Sequence, residues 1–361
     1  MNYDNLHGKA AVFTGEHKPF EIKTYPVTPP AKGYALLRLL ASGVCGTDVH
    51  IHHGRLQIGA PLIIGHEFIG EVIDINESDS NAKVGDRVIF NMASPCGKCR
   101  LCLSGDSANC LAFEVAYAKD PKTPPHFFGG YGEYVYAKAK ESDGALIKIP
   151  EKVDVLAAAM FPCAGPTVTH ALKLGGIYEN KAKGIKTAVV QGAGPLGLFS
   201  ALWLALANVP DIYVVNKVKD GARADIMRNL TRAEVVLEEE ITQMTADGLS
   251  VDLVIECSGN PEAFNLGCGI LRNRGLYLVP GQYSNSGNIS FAPQIVTFKA
   301  LQIIGSSQYD ASDVADYINF LETAGDMLPK IAACVKTFPV EEVNEALEAA
   351  SKHLYSKITL V

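Results

Sequence analysis

The chain has 361 residues, 48% of them hydrophobic and 20% charged; that length exceeds what one hydrophobic core usually serves, and the composition excludes a disordered chain. Its formal net charge of −7 opposes a nucleic-acid surface, which rests on clustered Lys and Arg against phosphates. A small-molecule ligand fits better.

The amino-terminal stretch MNYDNLHGKAAVFTGEHKPF joins no basic run to an apolar one, so no signal peptide is expected. From about residue 8 to 150, turn residues separate short β-prone runs at 35–41, 70–75 and 87–90, the pattern of a compact, mostly β domain. From about Lys186 the rhythm becomes strand, Gly-rich turn, helix, strand, at 187–191, 196–207 and 212–215, with further strands at 251–256 and 275–279. Strands alternating with helices of this length predict a parallel sheet in a doubly wound α/β domain. The longest apolar stretch, 196–209, falls short of the about 20 residues that cross a bilayer. It reads as a buried helix, and no membrane association is expected. Residues 314–321 and 340–350 carry a helical pattern, and the strand-like tail 358–361 is free to return to the first domain.

Four of the nine cysteines form Cys96-x2-Cys99-x2-Cys102-x7-Cys110. Such closely spaced thiolates, on a loop holding Gly97 and Gly105, can close tetrahedrally around zinc without a long-range fold to assemble them. An iron–sulfur cluster competes, but the ferredoxin-like run has its fourth Cys after three residues and before Pro; here it follows seven and precedes Leu111. The site reads as closed and structural. Reduced, metal-bound thiols point to the cytoplasm. Cys257, Cys268 and Cys334 join no motif and are expected in cores.

A second constellation is dispersed: Cys45 in GVCGTDVH, His66 in GHE and Cys163 in FPCAGPT. Two Cys and one His are an accepted set for a zinc that keeps an open position. Singly, each residue is more often a buried small hydrophobe or a hydrogen-bonded ring, so the combination carries the reading.

The third signal is QGAGPLG, with Gly192, Gly194 and Gly197 after a strand-like run and Pro195 and Leu196 opening an apolar helix. In that context backbone N–H groups at the helix start hold a pyrophosphate. About twenty residues on, a carboxylate normally binds the ribose of NAD. This chain places Asn216 there, followed by Lys217, Lys219 and Arg223. Losing the carboxylate removes repulsion against a 2′-phosphate and the cations can pair with one, which puts NADP ahead of NAD; a solvated helix start is the competing reading.

Together these residues resemble the zinc-containing medium-chain alcohol and polyol dehydrogenases over nearly the whole chain, through GVCGTDVH at 43–50, GHE at 65–67, GDRV at 85–88, GGYGEYV at 129–135 and CAGPT at 163–167. The resemblance implies a mostly β GroES-like catalytic domain from residues 1–158 and 299–361, with a structural-zinc lobe at 96–110. It implies a central Rossmann domain for NAD(P) at 159–298, and an active site in the cleft between the two domains. By the same resemblance Cys45, His66 and Cys163 bind a catalytic zinc, with water, alcohol or Glu67 at the fourth position. Zinc lowers the pKa of the substrate hydroxyl, and hydride passes between the carbinol carbon of a small alcohol and NAD(P).

Thr47 would accept the hydroxyl proton and pass it through the cofactor ribose towards His50, with His52 and His53 as alternatives, and Asp48 would orient His66. Thr167, Ser258 and Gly281 join the implied cofactor site. Gly46 stands where several relatives carry a basic residue against the pyrophosphate, and Lys357 is the candidate replacement. The segment between Cys110 and Gly129, with Tyr117, His126, Phe127 and Phe128, is expected at the pocket mouth. A homodimer or homotetramer is implied, while the substrate stays open among simple alcohols, polyols, threonine and aldehydes. A zinc-free quinone or enoyl reductase would lack the dispersed ligand set, and a non-enzymatic relative should have lost Thr47, Glu67 or Cys163.

Overall fold

The computed structural model describes residues 2–281, 283–284 and 286–361, with Asp143 described by its backbone alone. It divides into two compact units, one from residues up to Cys163 together with Tyr309–Val361, the other Ala164–Gln308.

In the first unit β1 (His7–Val12) and β2 (Glu21–Pro26) form an antiparallel pair. Then come β3 (Tyr34–Val44), α1 (Gly46–His52), β4 (Phe68–Ile75) and β5 (Arg87–Phe90). A small lobe follows, made of β6 (Ala93–Ser94), α2 (Arg100–Leu103) and β7 (Glu114–Val115). β8 (Tyr134–Lys138), β9 (Leu146–Lys148) and α3 (Val155–Met160) complete this stretch. The α3 helix starts where the Asp154 carboxylate accepts from Leu156 N at 2.8 Å and Ala157 N at 3.0 Å, satisfying two orphan donors. It stops ahead of Pro162, which disfavours helical backbone in the residue before it, Phe161.

The second unit opens with α4 (Ala164–Leu174) and then alternates: β10 (Thr187–Gln191), α5 (Pro195–Leu206), β11 (Asp211–Val215), α6 (Ala222–Leu230), β12 (Glu234–Val236), α7 (Glu238–Ala246), β13 (Val251–Glu256), α8 (Pro261–Ile270), β14 (Leu271–Val279), α9 (Gln294–Lys299) and β15 (Gln302–Gly305). Every strand pair is parallel and the sheet order is β12-β11-β10-β13-β14-β15. Numbered within the unit, that is the doubly wound 3-2-1-4-5-6 order, whose crevice opens at the strand carboxyl ends where the order reverses, between β10 and β13. All residues of β10 and β13 are buried, so these strands read as continuous runs rather than as alternation.

The chain returns to the first unit through α10 (Ala311–Ala324), α11 (Leu328–Ala332), β16 (Val335–Phe338), α12 (Val343–Ser351) and β17 (Lys357–Leu360). The tail does come back: β17 pairs antiparallel with β3, setting Ile358 opposite Val44, and parallel with β16. β3 thereby has β4 along one edge, with β8 and β17 sharing the other.

Candidate active site

In the first unit, strand and helix ends bring three distant segments to one point. Cys45 is the last residue before α1 and caps it, with its N–H donating to Asp48 Oδ2 at 2.8 Å. His66 and Glu67 lead into β4, and Cys163 follows α3. One ligand atom from each of Cys45, His66, Glu67 and Cys163 lies within 4.8 Å of all the others. Two thiols, an imidazole and a carboxylate at that spacing fit a zinc ion.

The electrostatics of the cluster agree with that donor set. A hydrogen bond from Cys163 and the nearby His66 ring hold the Cys45 thiol well below its ordinary range despite burial, while the same contact pushes the Cys163 thiol up. Burial disfavours the charged His66 ring, but Asp48 and Cys45 more than offset it and hold its pKa well above ordinary. Asp48 Oδ1 sits 3.5 Å from His66 Nδ1, leaving Nε2 for a metal. Cys45 Sγ is 3.8 Å from Thr47 Oγ1, so the hydroxyl stands beside the cluster. His50 lies one turn along α1, its Nδ1 buried without a hydrogen-bond partner and its pKa lowered chiefly by burial. His52 is engaged elsewhere, with Nε2 3.1 Å from Lys18 O, and His53 stacks on His17 with ring centroids 6.0 Å apart.

Burial drives the Glu67 carboxyl up to about 7, opposed by the Lys357 ammonium. The two side chains, 2% and 3% exposed, form a buried ion pair. This corrects the expectation for Lys357: its amine is committed to Glu67 inside the first unit. The pocket-mouth expectation also changes, because Phe127 and Phe128 belong to the hydrophobic core and His126 stacks on Tyr25 with Nδ1 against Pro121 O. Tyr117 alone of the four is set within electrostatic reach of His66, Asp48 and Cys45.

Cys96, Cys99, Cys102 and Cys110 also bring one sulfur each within 4.8 Å of the rest. The lobe's backbone points N–H groups at them: Cys96 N to Cys110 Sγ at 3.2 Å, Cys99 N to Cys96 Sγ and Cys102 N to Cys99 Sγ, both at 3.4 Å. Donors aimed at sulfur favour thiolate, and hydrogen bonds from Cys102 N and Leu111 N bring Cys99 to about 6. The odd cysteines divide: Cys268 is fully buried in the second unit's core, whereas Cys257 and Cys334 are only partly buried, against the expectation of core residues.

In the second unit the Gly-rich turn joins β10 to α5, with Gly194 as N-cap and Pro195 at the first helical position. A Cβ on Gly197 would lie 1.8 Å from Gly192 O, so only glycine lets the helix start this close to the turn. Gly192 packs on Ser258, whose N–H and hydroxyl both donate to Glu256 Oε1, at 2.7 and 2.5 Å. Gly281 N donates to Glu256 O at 3.0 Å. Glu256, fully buried, ties together three segments at the strand ends; nothing in the sequence marked it, since its role depends on contacts brought by β14. Asn216 follows β11 and donates to Val218 O. Lys219 is engaged by Glu240 at 2.8 Å, Lys217 is exposed and Arg223 is half-buried on α6. Thr167 lies in the first turn of α4. Among the described residues no helix is long and apolar enough to cross a membrane.

Comparison with known proteins places these features in a family. Residues 31–151 match the family model described as alcohol dehydrogenase GroES-like domain, and residues 171–360 match glucose dehydrogenase C-terminus. The chain is 30% identical over 302 residues to a sorbitol dehydrogenase of Halalkalibacterium halodurans, covering 81% of this chain and 82% of the relative. It is 30% identical over 298 residues to an L-threonine 3-dehydrogenase of Pyrococcus horikoshii, covering 79% and 78%. Among solved structures, an alcohol dehydrogenase of Thermotoga maritima superposes with a TM-score of 0.86 at 25% identity, over 99% of both chains.

Proposed function

Since the chain belongs to the zinc-containing medium-chain alcohol and polyol dehydrogenases, and is an NAD(P)-dependent oxidoreductase acting on alcohols, we propose that Cys45, His66 and Cys163 hold its catalytic zinc. The observation that carries this is the mutual approach of those three ligand atoms and Glu67 within 4.8 Å. Held there, a zinc ion would supply Lewis acidity for ionising a substrate hydroxyl near neutral pH, and NAD(P) would supply the hydride acceptor or donor. Thr47 accepts the hydroxyl proton and His50 hands it to solvent, a role supported by their shared place on α1 and by the free Nδ1 of His50. Glu67, the fourth member of the cluster, would be the ligand that substrate or water replaces. Cys96, Cys99, Cys102 and Cys110 hold a second, structural zinc.

The Gly192–Gly197 turn would hold the cofactor, with Thr167, Ser258 and Gly281 as further candidate contacts. NADP is preferred over NAD, with Lys217 and Arg223 meeting the 2′-phosphate in place of an acidic residue at Asn216; Lys219 is less suited because Glu240 already neutralises it. A homodimer or homotetramer in the cytoplasm is the proposed assembly, on the family resemblance and on nine free cysteines.

Zinc per chain, measured in the wild type and in Cys163→Ala, tests the central assignment. Two zincs falling to one, with loss of NAD(P)-linked alcohol oxidation, is the expected result. An unchanged zinc content would remove Cys163 from the ligand set and the mechanism with it.

A further inference from the structure

Tyr131 is fully buried and has no role in the mechanism above. Its ring packs against Gly65, the residue before His66 and Glu67. A Cβ on Gly65 would come within 2.4 Å of the ring, and Gly65 holds a φ of +97° that side chains rarely adopt. Tyr131 N donates to Ile64 O, and Gly130 N to Gly65 O, both at 2.9 Å. The ring and the ligand segment are therefore placed as one piece.

Among the described residues, the Tyr131 hydroxyl and Asp48 Oδ1 are both buried without a hydrogen-bond partner, as is Ser42 Oγ against Gly130. The Tyr131 hydroxyl is a donor and Asp48 Oδ1 an acceptor. These two are also neighbours, since after burial itself Asp48 is the group that acts most strongly on the Tyr131 phenol and holds it protonated. Asp48 Oδ1 is the oxygen that faces His66 Nδ1 at 3.5 Å, whereas Oδ2 is tied to Cys45 N. The carboxylate thus reaches two of the three ligand segments, and one corner of it is unsecured.

We propose that Tyr131 is a positioning residue for the catalytic metal centre, its hydroxyl donating to Asp48 Oδ1, directly or through one water, and so pressing that oxygen against His66 Nδ1. The chain Tyr131–Asp48–His66 then fixes the imidazole tautomer and ring orientation that a metal requires. The inference rests on Cys45, His66 and Cys163 being the ligands.

Tyr131→Phe tests it by deleting one oxygen while keeping the ring on Gly65. With cobalt(II) loaded in place of zinc, the visible bands absent from a Cys163→Ala protein report this site alone, and their decay in a chelator gives the release rate. Outer contacts of this kind change metal affinity by about 10- to 100-fold, so Tyr131→Phe should release cobalt about tenfold faster than wild type, with an altered band shape. Asp48→Asn should do the same or more, and the double variant should be no faster than Asp48→Asn alone, because one contact cannot be lost twice. A wild-type release rate in Tyr131→Phe, or effects that multiply in the double variant, would overturn the role of Tyr131. Retention of the bands in Cys163→Ala would instead overturn the ligand set, and this inference with it.

Discussion

A buried carboxylate and a buried ammonium are each costly alone, and Glu67 and Lys357 bear that cost together. The Glu67 carboxyl stands at about 7 in the folded protein, above its value in an unfolded chain, so the fold binds that proton more tightly. Its contribution to stability is then full below the unfolded pKa and is lost as pH rises towards 7. Below that range Lys357 faces a neutral acid; above it, an anion. Replacing Lys357 by Met in the metal-free protein should therefore cost little at about pH 5 and about 3–5 kcal/mol at about pH 8.5, where a charge is left buried without its partner. Urea unfolding at the two pH values checks this, and an equal cost at both would show that the pair does not titrate as described. Glu67 was visible in the sequence because it adjoins His66, but Lys357 is 290 residues away. No local pattern joins them, and only the pairing of β17 with β3 reveals the contact.

At the scale of elements, legibility followed locality. The runs 87–90, 187–191 and 251–256 coincide with β5, β10 and β13, because turn residues bound each and burial on both faces leaves mostly apolar runs without alternation. The 35–41 run was read too short: β3 continues to Val44 since β17 arrives to pair with its end. The helix expected at 340–350 begins as a 3-10 turn, Val340–Glu342, after Pro339, and only then becomes α12. The four-cysteine lobe was legible for a different reason, as its chemistry is contained in one short loop. Little else holds it: α2 has four residues, and Leu103 and Leu111 are 75% and 63% exposed. A lobe with so little apolar burial would take its order from the structural zinc proposed for it. Cys110→Ser should consequently lose one zinc, and limited proteolysis should cut within residues 95–113 well before it cuts wild type, while the Cys45, His66 and Cys163 site keeps its metal. Equal resistance of the two proteins would mean that packing orders the lobe.

For the whole molecule, the two units differ in how the chain builds them. The second is a single stretch, Ala164–Gln308, that contains all six strands of its sheet. Its core cluster, including Val189, Ile241, Val254, Cys268 and Tyr277, lies wholly inside that stretch. The first unit needs both ends. Without the carboxyl-terminal segment β3 loses β17 along 42–44, and Val340, Val343, Leu347, Ile358 and Leu360 leave the core they share with Val12, Leu36 and Tyr131. Change of rhythm near Lys186 announced a second fold, but the return of the last segment is a long-range event that periodicity cannot encode. A polypeptide of residues 164–308 should therefore unfold cooperatively in urea and still bind NADP or NAD at the Gly192–Gly197 turn, since a domain with its own core can fold alone. A polypeptide ending at Cys163 should expose the β3 edge and apolar core and aggregate. Circular dichroism through a urea titration, with nucleotide added to the first fragment, reads both outcomes; a molten 164–308 fragment would show that its core is incomplete without the first unit.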